Sequence, residues 1–336
     1  MRIGFTYDLR DDYRAMGYSD EETAEFDSVA TIEMIEETLV SLGHEVDRIG
    51  HIRRLAQRLV AGDRWDLVFN IAEGLKGRSR EAQAPALLEA FDIPYTFSDP
   101  LVMAASLDKA VAKRLVQAAG VPVAGFVAVE TKADLGRVGL PFPLFVKPIA
   151  EGTGKGCEFA SIVRDRKALT KAVRSIHARF RQPALVEEFL PGREFTVGIL
   201  GNGPDARVLG VLEIELLKSA EPQVYSYLNK EECESRVRYV LCDDALARKA
   251  ADVAFRAYQA LQCRDACRID VRCNTAGVPC FIEANPIAGL HPTHSDLPML
   301  ATAVGMSYPE LLGAIVDAAA RRSGLDVEAS RVSRAA

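Results

Sequence analysis

The segment that most restricts what this chain can fold into is a pair of short runs near its C-terminal end. They are Arg268-Ile269-Asp270-Val271-Arg272 and Phe281-Ile282-Glu283-Ala284-Asn285, separated by a turn through Asn274 to Gly277. Side chains alternate faces along a strand, so Arg268, Asp270 and Arg272 share one face while Ile269 and Val271 take the other. Glu283 and Asn285 likewise share a face opposite Ile282 and Ala284. Folded as a hairpin about Ala276, the two runs bring Asp270 within one residue of direct opposition to Glu283. Facing carboxylates destabilise a ladder unless something positive sits between them, and hard oxygen donors of this kind suit Mg²⁺ bound together with phosphates. An exposed polar face neutralised by Arg268 and Arg272 satisfies the same pattern.

The rest of the chain reads as α/β. Its first hundred residues alternate short apolar runs with helical periodicity, as a parallel sheet with crossover helices would. Strands are expected at Arg2 to Tyr7, His44 to Ile49 and Trp65 to Ile71, and a helix on Val29, Ile32, Ile35, Leu39 and Leu42 that stops at Gly43. A helix from Leu107 to Ala119 leads into a second unit of antiparallel character. That unit has strands at Phe126 to Val129, Leu144 to Lys147 and Glu158 to Val163, and a helix from Arg166 to Phe180. A third region holds strands at Leu185 to Phe189, Glu194 to Leu200 and Val208 to Ile214, a helix at Ala245 to Leu261, the hairpin, and a helix near Tyr308 to Arg321.

Forty-one Lys and Arg against 47 Asp and Glu give a net charge of −6, so no global positive field exists to hold nucleic acid or an anionic membrane. The N-terminus MRIGFTYDLRDD has no apolar signal core, and no run approaches the ~18 apolar residues of a membrane span, so a cytoplasmic protein without membrane partners is expected. Seven Cys form no C-x-x-C pair, which reads as free thiols rather than a disulfide framework or a zinc cage.

Two further segments carry chemistry. Phe145-Val146-Lys147-Pro148 runs into Glu151-Gly152-Thr153-Gly154-Lys155-Gly156, where glycines permit positive φ and successive N–H groups can form an anion nest. It matches neither a P-loop nor a dinucleotide fingerprint, and alone it reads as a plain glycine hairpin in preference to a phosphate site. In Leu185 to Val197, Glu187 and Glu188 end an apolar strand before a Pro191-Gly192 turn, where they suit an adenine amino group or ribose hydroxyls, or a solvated strand end.

In this order, a Lys-Pro strand with its glycine loop, an E-E-F-L-x-G-x-E-F-T-V turn and an R-I-D-V hairpin ending in E-A-N resemble the ATP-grasp superfamily, and within it the D-alanine–D-alanine ligase group. The likeness spans roughly residues 90 to 315 and includes Leu107-Asp108-Lys109, Tyr225 to Lys230, and Gly289 to Pro298. The resemblance implies an ATP-grasp fold of three domains: an N-terminal parallel sheet over 1–105, a central ATP-binding subdomain over 106–185 and a C-terminal subdomain over 186–322, with a tail at 323–336.

It further implies that Lys109 and Lys147 meet the nucleotide phosphates beneath the loop Glu151, Gly152, Thr153 and Gly154. Glu187, Glu188 and Leu190 would form the adenine hinge, Glu194 would reach the ribose, and Lys230 would bring a mobile-loop ammonium to the γ-phosphate. Asp270, Glu283 and Asn285 would hold two Mg²⁺ ions, with Mn²⁺ as an alternative. Arg268 and the Gly289 N–H would face the reacting group, and Ser295, with His291 and His294, the second substrate.

The activity so implied is an ATP-dependent carboxylate–amine ligase working through an acyl phosphate on small molecules, amino acids among them, with a homodimer compatible. Departures fall on the amino-acid side. Thr6 to Asp12 stands where the family carries S-x-E, Thr153 and Gly154 replace a serine pair, Glu231 replaces a tyrosine, and Asn70 to Ser79 replaces H-G-x-x-G-E-D-G. Substrates other than two D-alanines are therefore expected. The competing expectations are a true D-alanine–D-alanine ligase, a ligase joining an amino acid to a non-amino-acid acceptor, a nucleotide-binding pseudoenzyme, and a nicotinamide dehydrogenase, the last opposed by the lack of G-x-G-x-x-G after the first strand.

Overall fold

The structure, a computed structural model, describes residues 1–325; the expected tail lies outside them from residue 326 onward. The chain begins β1 (Arg2–Thr6), α1 (Arg10–Ala15), α2 (Val29–Ser41), β2 (Glu45–Arg48), α3 (Ile52–Val60), β3 (Leu67–Asn70) and α4 (Gln83–Ala90). The three strands form a parallel sheet in the order β2-β1-β3. Parallel neighbours need crossovers, which α2 and α3 supply. Ser28 Oγ accepts the Thr31 N–H at 3.2 Å to start α2, which buries Ile32, Ile35 and Leu39 as its periodicity requires.

The helix expected from Leu107 to Ala119 is α6 (Lys109–Ala118), and a further helix not expected from the sequence, α5 (Pro100–Leu107), precedes it. Asp108 divides them by capping α6: its carboxylate accepts from the Ala110 and Val111 N–H groups at 3.0 and 2.9 Å.

The second sheet comprises β4 (Phe126–Val129), β5 (Leu144–Pro148), β6 (Ile162–Val163) and, after α7 (Arg166–Phe180), β7 (Ala184–Glu188). Its order is β4-β7-β5-β6 and every pair is antiparallel. Two expectations change here. The strand expected from Glu158 shrinks to β6, because Phe159–Ser161 is a 3-10 turn closed by reciprocal Glu158 and Ser161 caps. The strand ending in Glu187 and Glu188, expected in the third region, lies between β4 and β5, so a boundary at residue 185 would cut through β7.

The third sheet is built from β8 (Glu194–Leu200), β9 (Arg207–Leu216), the short helices α8 (Tyr227–Glu231) and α9 (Cys233–Arg236), β10 (Val237–Leu241), α10 (Ala245–Leu261), β11 (Ala266–Cys273) and β12 (Pro279–Asn285). The order is β10-β9-β8-β11-β12, antiparallel throughout. Helix α10 covers one face, burying Ala250, Val253, Ala254 and Tyr258 with Val197, Ile269 and Val271 of the strands. The chain then makes α11 (Asp296–Ala303) and α12 (Tyr308–Arg322).

Helix α12 is the main departure from a strictly sequential division into units. Its Leu311, Leu312, Ile315 and Val316 share one core with Ile32, Ile35 and Leu39 of α2 and with Phe5 and Phe69 of the first sheet. All seven cysteines are free, five of them buried. Among the described residues no single helix is long and apolar enough to cross a membrane.

Candidate active site

The hairpin forms as its sequence requires, with Asp270 paired to Glu283 and Arg268 to Asn285. The register then slips, Val271 pairing with Phe281, so Ile282 is the extra residue of a β-bulge. The bulge breaks the alternation expected for β12: Ile282 and Glu283 both line the cleft between the second and third sheets. Asp270 is anchored from two sides, accepting from Thr196 Oγ1 at 2.8 Å and from Asn285 Nδ2 at 3.4 Å. Arg268 bridges Asp270 at 3.1 Å and Asp296 at 3.3 Å, and its buried Nε has no hydrogen-bond partner.

Burial alone would raise the Glu283 carboxyl, but Lys109, Lys147, Lys230 and Arg268 outweigh it and hold it well below the ordinary range. Lys109 Nζ is 3.2 Å from that carboxylate and also donates to the Glu151 carbonyl at 2.5 Å.

Toward the other end, the cleft is lined by Phe145, Leu190, Val224 and Ile282 together with Glu187, Glu188 and Glu194. Glu187 is the centre of a buried triad, 2.8 Å from Lys147 Nζ and 2.9 Å from Lys113 Nζ. Burial would raise its carboxyl, yet the two ammonium groups draw it down to about 2. Each of its oxygens thus faces a lysine ammonium inside the cleft.

Lys113 was not anticipated. It sits on the α6 face that periodicity assigns to the core, and nothing local in sequence shows that its partner comes from β7. Glu188 accepts the Gly125 N–H at 3.1 Å, tying the start of β4 to β7. Glu194 pairs with Arg272 at 3.1 Å, and Lys155 pairs with Glu25 and Glu151. Arg272 and Lys155 therefore answer protein carboxylates.

Three loops close over the cleft. In the glycine loop Thr153 and Gly154 take positive φ of 48° and 75°, and a Cβ on Gly154 would lie 3.1 Å from the Tyr227 nitrogen. Only a residue without a side chain permits that approach to α8, which carries Lys230. From the N-terminal unit, Glu25 Oε1 accepts the Gly152 N–H at 2.5 Å and Oε2 accepts from Arg80 at 2.6 Å, while Arg80 also donates to the Ala150 carbonyl at 2.8 Å. Glu25 lies in an acidic run, Asp20 to Asp27, that reads as a solvated loop; no sequence signal marks it.

A second cavity of about 510 Å³ opens beside the hairpin and is lined by Lys230, Arg268, Glu283, Asn285, Gly289 and Ser295 among others. Gly289 is needed for its packing, since a Cβ there would meet Ser295 Oγ at 2.7 Å. That hydroxyl accepts the His291 N–H at 3.0 Å, and the His291 and His294 rings lie 4.7 Å apart at the rim.

Of the polar residues after β1 and β3, Arg10 and Glu73 reach this cavity. Asp8 is buried and structural, accepting from Tyr13 Oη at 2.5 Å and the Gly74 N–H at 2.8 Å. Arg78 turns to Asp108 at 2.6 Å, and Lys76 rests over the Tyr18 ring.

This architecture, a parallel N-terminal sheet followed by two antiparallel units gripping a cleft, is the ATP-grasp fold. It superposes with TM-score 0.72 on the D-alanine–D-alanine ligase from Bacillus anthracis complexed with ATP, at 20% identity over 96% of this chain and 99% of that one. It superposes with TM-score 0.71 on the VanG D-Ala:D-Ser ligase from Enterococcus faecalis, at 20% identity over 95% and 99%. The family model described as D-ala D-ala ligase C-terminus matches residues 115–317. The D-alanine–D-alanine ligase of Bordetella petrii is 36% identical over 80% of this chain and 79% of its own length. That of Gluconobacter oxydans is 36% identical over 73% and 78%, and the uncharacterized protein y4sG of Sinorhizobium fredii 35% over 76% and 75%. The chain belongs to the D-alanine–D-alanine ligase family.

Proposed function

We propose that the protein is an ATP-dependent ligase joining a carboxylate to an amine, D-alanine–D-alanine ligase-like, on a substrate pair other than two D-alanines. The observation that carries this reading is the convergence of Lys109, Lys230, Arg268, Glu283 and Asn285 on one face. That face meets a large cavity whose remaining wall departs from the family pattern. The boundaries we assign are a first unit to about residue 105, a central unit reaching through β7, and a third unit from β8 onward whose α12 returns to the first.

Asp270, Glu283 and Asn285 supply hard oxygens on one face of one hairpin, a donor set that fits Mg²⁺ completing its shell with phosphate oxygens and water. Bound there, the ion would neutralise charge on the phosphates during transfer. Lys109, Lys147 and Lys230 present the ammonium groups toward which a triphosphate would be drawn.

Burial would lower Arg268, but Asp270, Asp296 and Glu283 keep it charged, and its partnerless Nε is available to a phosphoryl or carbonyl oxygen. The loop closure of Gly152 on Glu25 and Gly154 on Tyr227 would keep water from a reactive acyl phosphate.

Substrate-dependent release of ADP and phosphate tests the reading. Asp270→Ala and Glu283→Ala are expected to abolish it, and unchanged turnover would remove the metal assignment. D-alanine as sole amino acid is expected to give little product; efficient D-alanyl-D-alanine formation would overturn the altered substrate pair.

A further inference from the structure

One wall of the large cavity comes from the N-terminal unit: Asp27 ahead of α2, Glu73 after β3 and Glu81 in the 3-10 turn Arg80–Ala82. Among the described residues, eight carboxyl groups and four cationic side chains line this cavity, so acidic groups are in excess. The excess is concentrated on that wall. Glu25 is engaged by Arg80 and Gly152, Glu283 by Lys109, and Asp296 by Arg268. Among the described residues no hydrogen bond or ion pair reaches the Glu73 or Glu81 carboxyl, although Glu81 is 9% exposed.

A second group points the same way. The Ser106 hydroxyl lines the cavity at 3% exposure and has no hydrogen-bond partner; it stands on α5, which packs directly on the turn holding Glu81. A buried polar group without a partner forfeits the hydrogen bonds that water would give it, so such a wall is completed by a ligand that donates hydrogen bonds.

We propose that this wall is a subsite for a second positive charge on one of the two substrates. One of the joined molecules is then a basic compound, a diamino acid or a diamine, whose remote ammonium sits against Glu73, Glu81 and Ser106. The inference rests on the ligase reading for what happens at the other end of that molecule. A bare metal ion fits the wall less well, because among the described residues no three His, Cys, Asp or Glu side chains are arranged to hold one.

The electrostatics agree. Burial, with Arg80 opposing, raises Glu81 to about 7, and burial with Glu81 and Glu25 alongside raises Glu73 well above the ordinary value. With no cation present these groups tend to hold protons. An ammonium would let them ionise and donate to both.

The test uses the full chain with Mg²⁺ and a non-hydrolysable ATP analogue, and measures binding by calorimetry. Lysine and ornithine, in both enantiomers, are compared with norleucine and norvaline, and 1,5-diaminopentane with pentylamine. At least one basic member should bind tenfold or more tighter than its neutral counterpart, and Glu81→Gln, or Ser106→Ala should the first variant fail to fold, should shrink that preference severalfold.

Equal binding within every pair, or a preference unaltered in both variants, would overturn the proposal. Phosphate release measured in parallel separates the two readings. Selective binding of a basic probe without turnover would remove the ligase and keep the subsite. Turnover on neutral amino acids with no basic preference would do the reverse.

Discussion

At the scale of single residues, charge pairing beneath the cleft decides more than charge count. Glu187 holds two buried ammonium groups, and removing it strands both, whereas removing Lys113 leaves a one-to-one pair with Lys147. Glu187→Leu is therefore expected to cost about 3–5 kcal/mol, the usual penalty for an uncompensated buried charge, and Lys113→Met clearly less. Urea unfolding of both variants checks this; equal losses would mean that the triad does not act as a unit. Sequence made Lys147, Asp270 and Glu283 legible because each sits in a run whose alternation or spacing is short-range. It did not reveal Lys113 or Glu25, whose partners lie 74 and 127 residues away in β7 and the glycine loop.

At the scale of elements, the closed cleft depends on loops meeting across units. Burial would raise the Glu25 carboxyl, but Arg80, Lys155 and the Gly152 N–H outweigh it and hold it below the ordinary 4.5. A depressed carboxyl stabilises its contact fully above its ordinary value and loses that contribution as pH falls through the folded-state value. Amide exchange at residues 151–156 should therefore be slower in the wild type than in Glu25→Gln at pH 7, and the difference should shrink below about pH 4.5. A difference that stays constant down to pH 3 would show that Glu25 does not clamp the loop.

Elements with local signals, such as α2, α7, α10 and the hairpin, were legible from period and caps. The bulge at Ile282 was not, since a register slip is set by how β11 is held between β8 and β12. The same holds for β7: its run reads as a strand in sequence, but strand composition does not say which sheet receives it.

At the scale of the whole molecule, the last helix fastens the first domain. Ile315 is fully buried in the core shared by α12, α2 and the parallel sheet, so Ile315→Ala should cost about 2–5 kcal/mol and speed amide exchange in α2 as well as in α12. Exchange confined to α12 would mean that the N-terminal unit holds its core without it.

The sequence by itself determined the family, most of the strands though not β10, and the hairpin that opposes Asp270 to Glu283, because periodicity and short motifs are written in neighbouring residues. Tertiary structure alone decided that β7 belongs with β4 and β5, that α12 returns to the N-terminal core, and that Glu73, Glu81 and Ser106 line one cavity with Arg268, Glu283 and Asn285 of the hairpin. Those are contacts between residues far apart in the chain, selected by the free energy of burying apolar faces together. No local pattern encodes which distant face will be the partner.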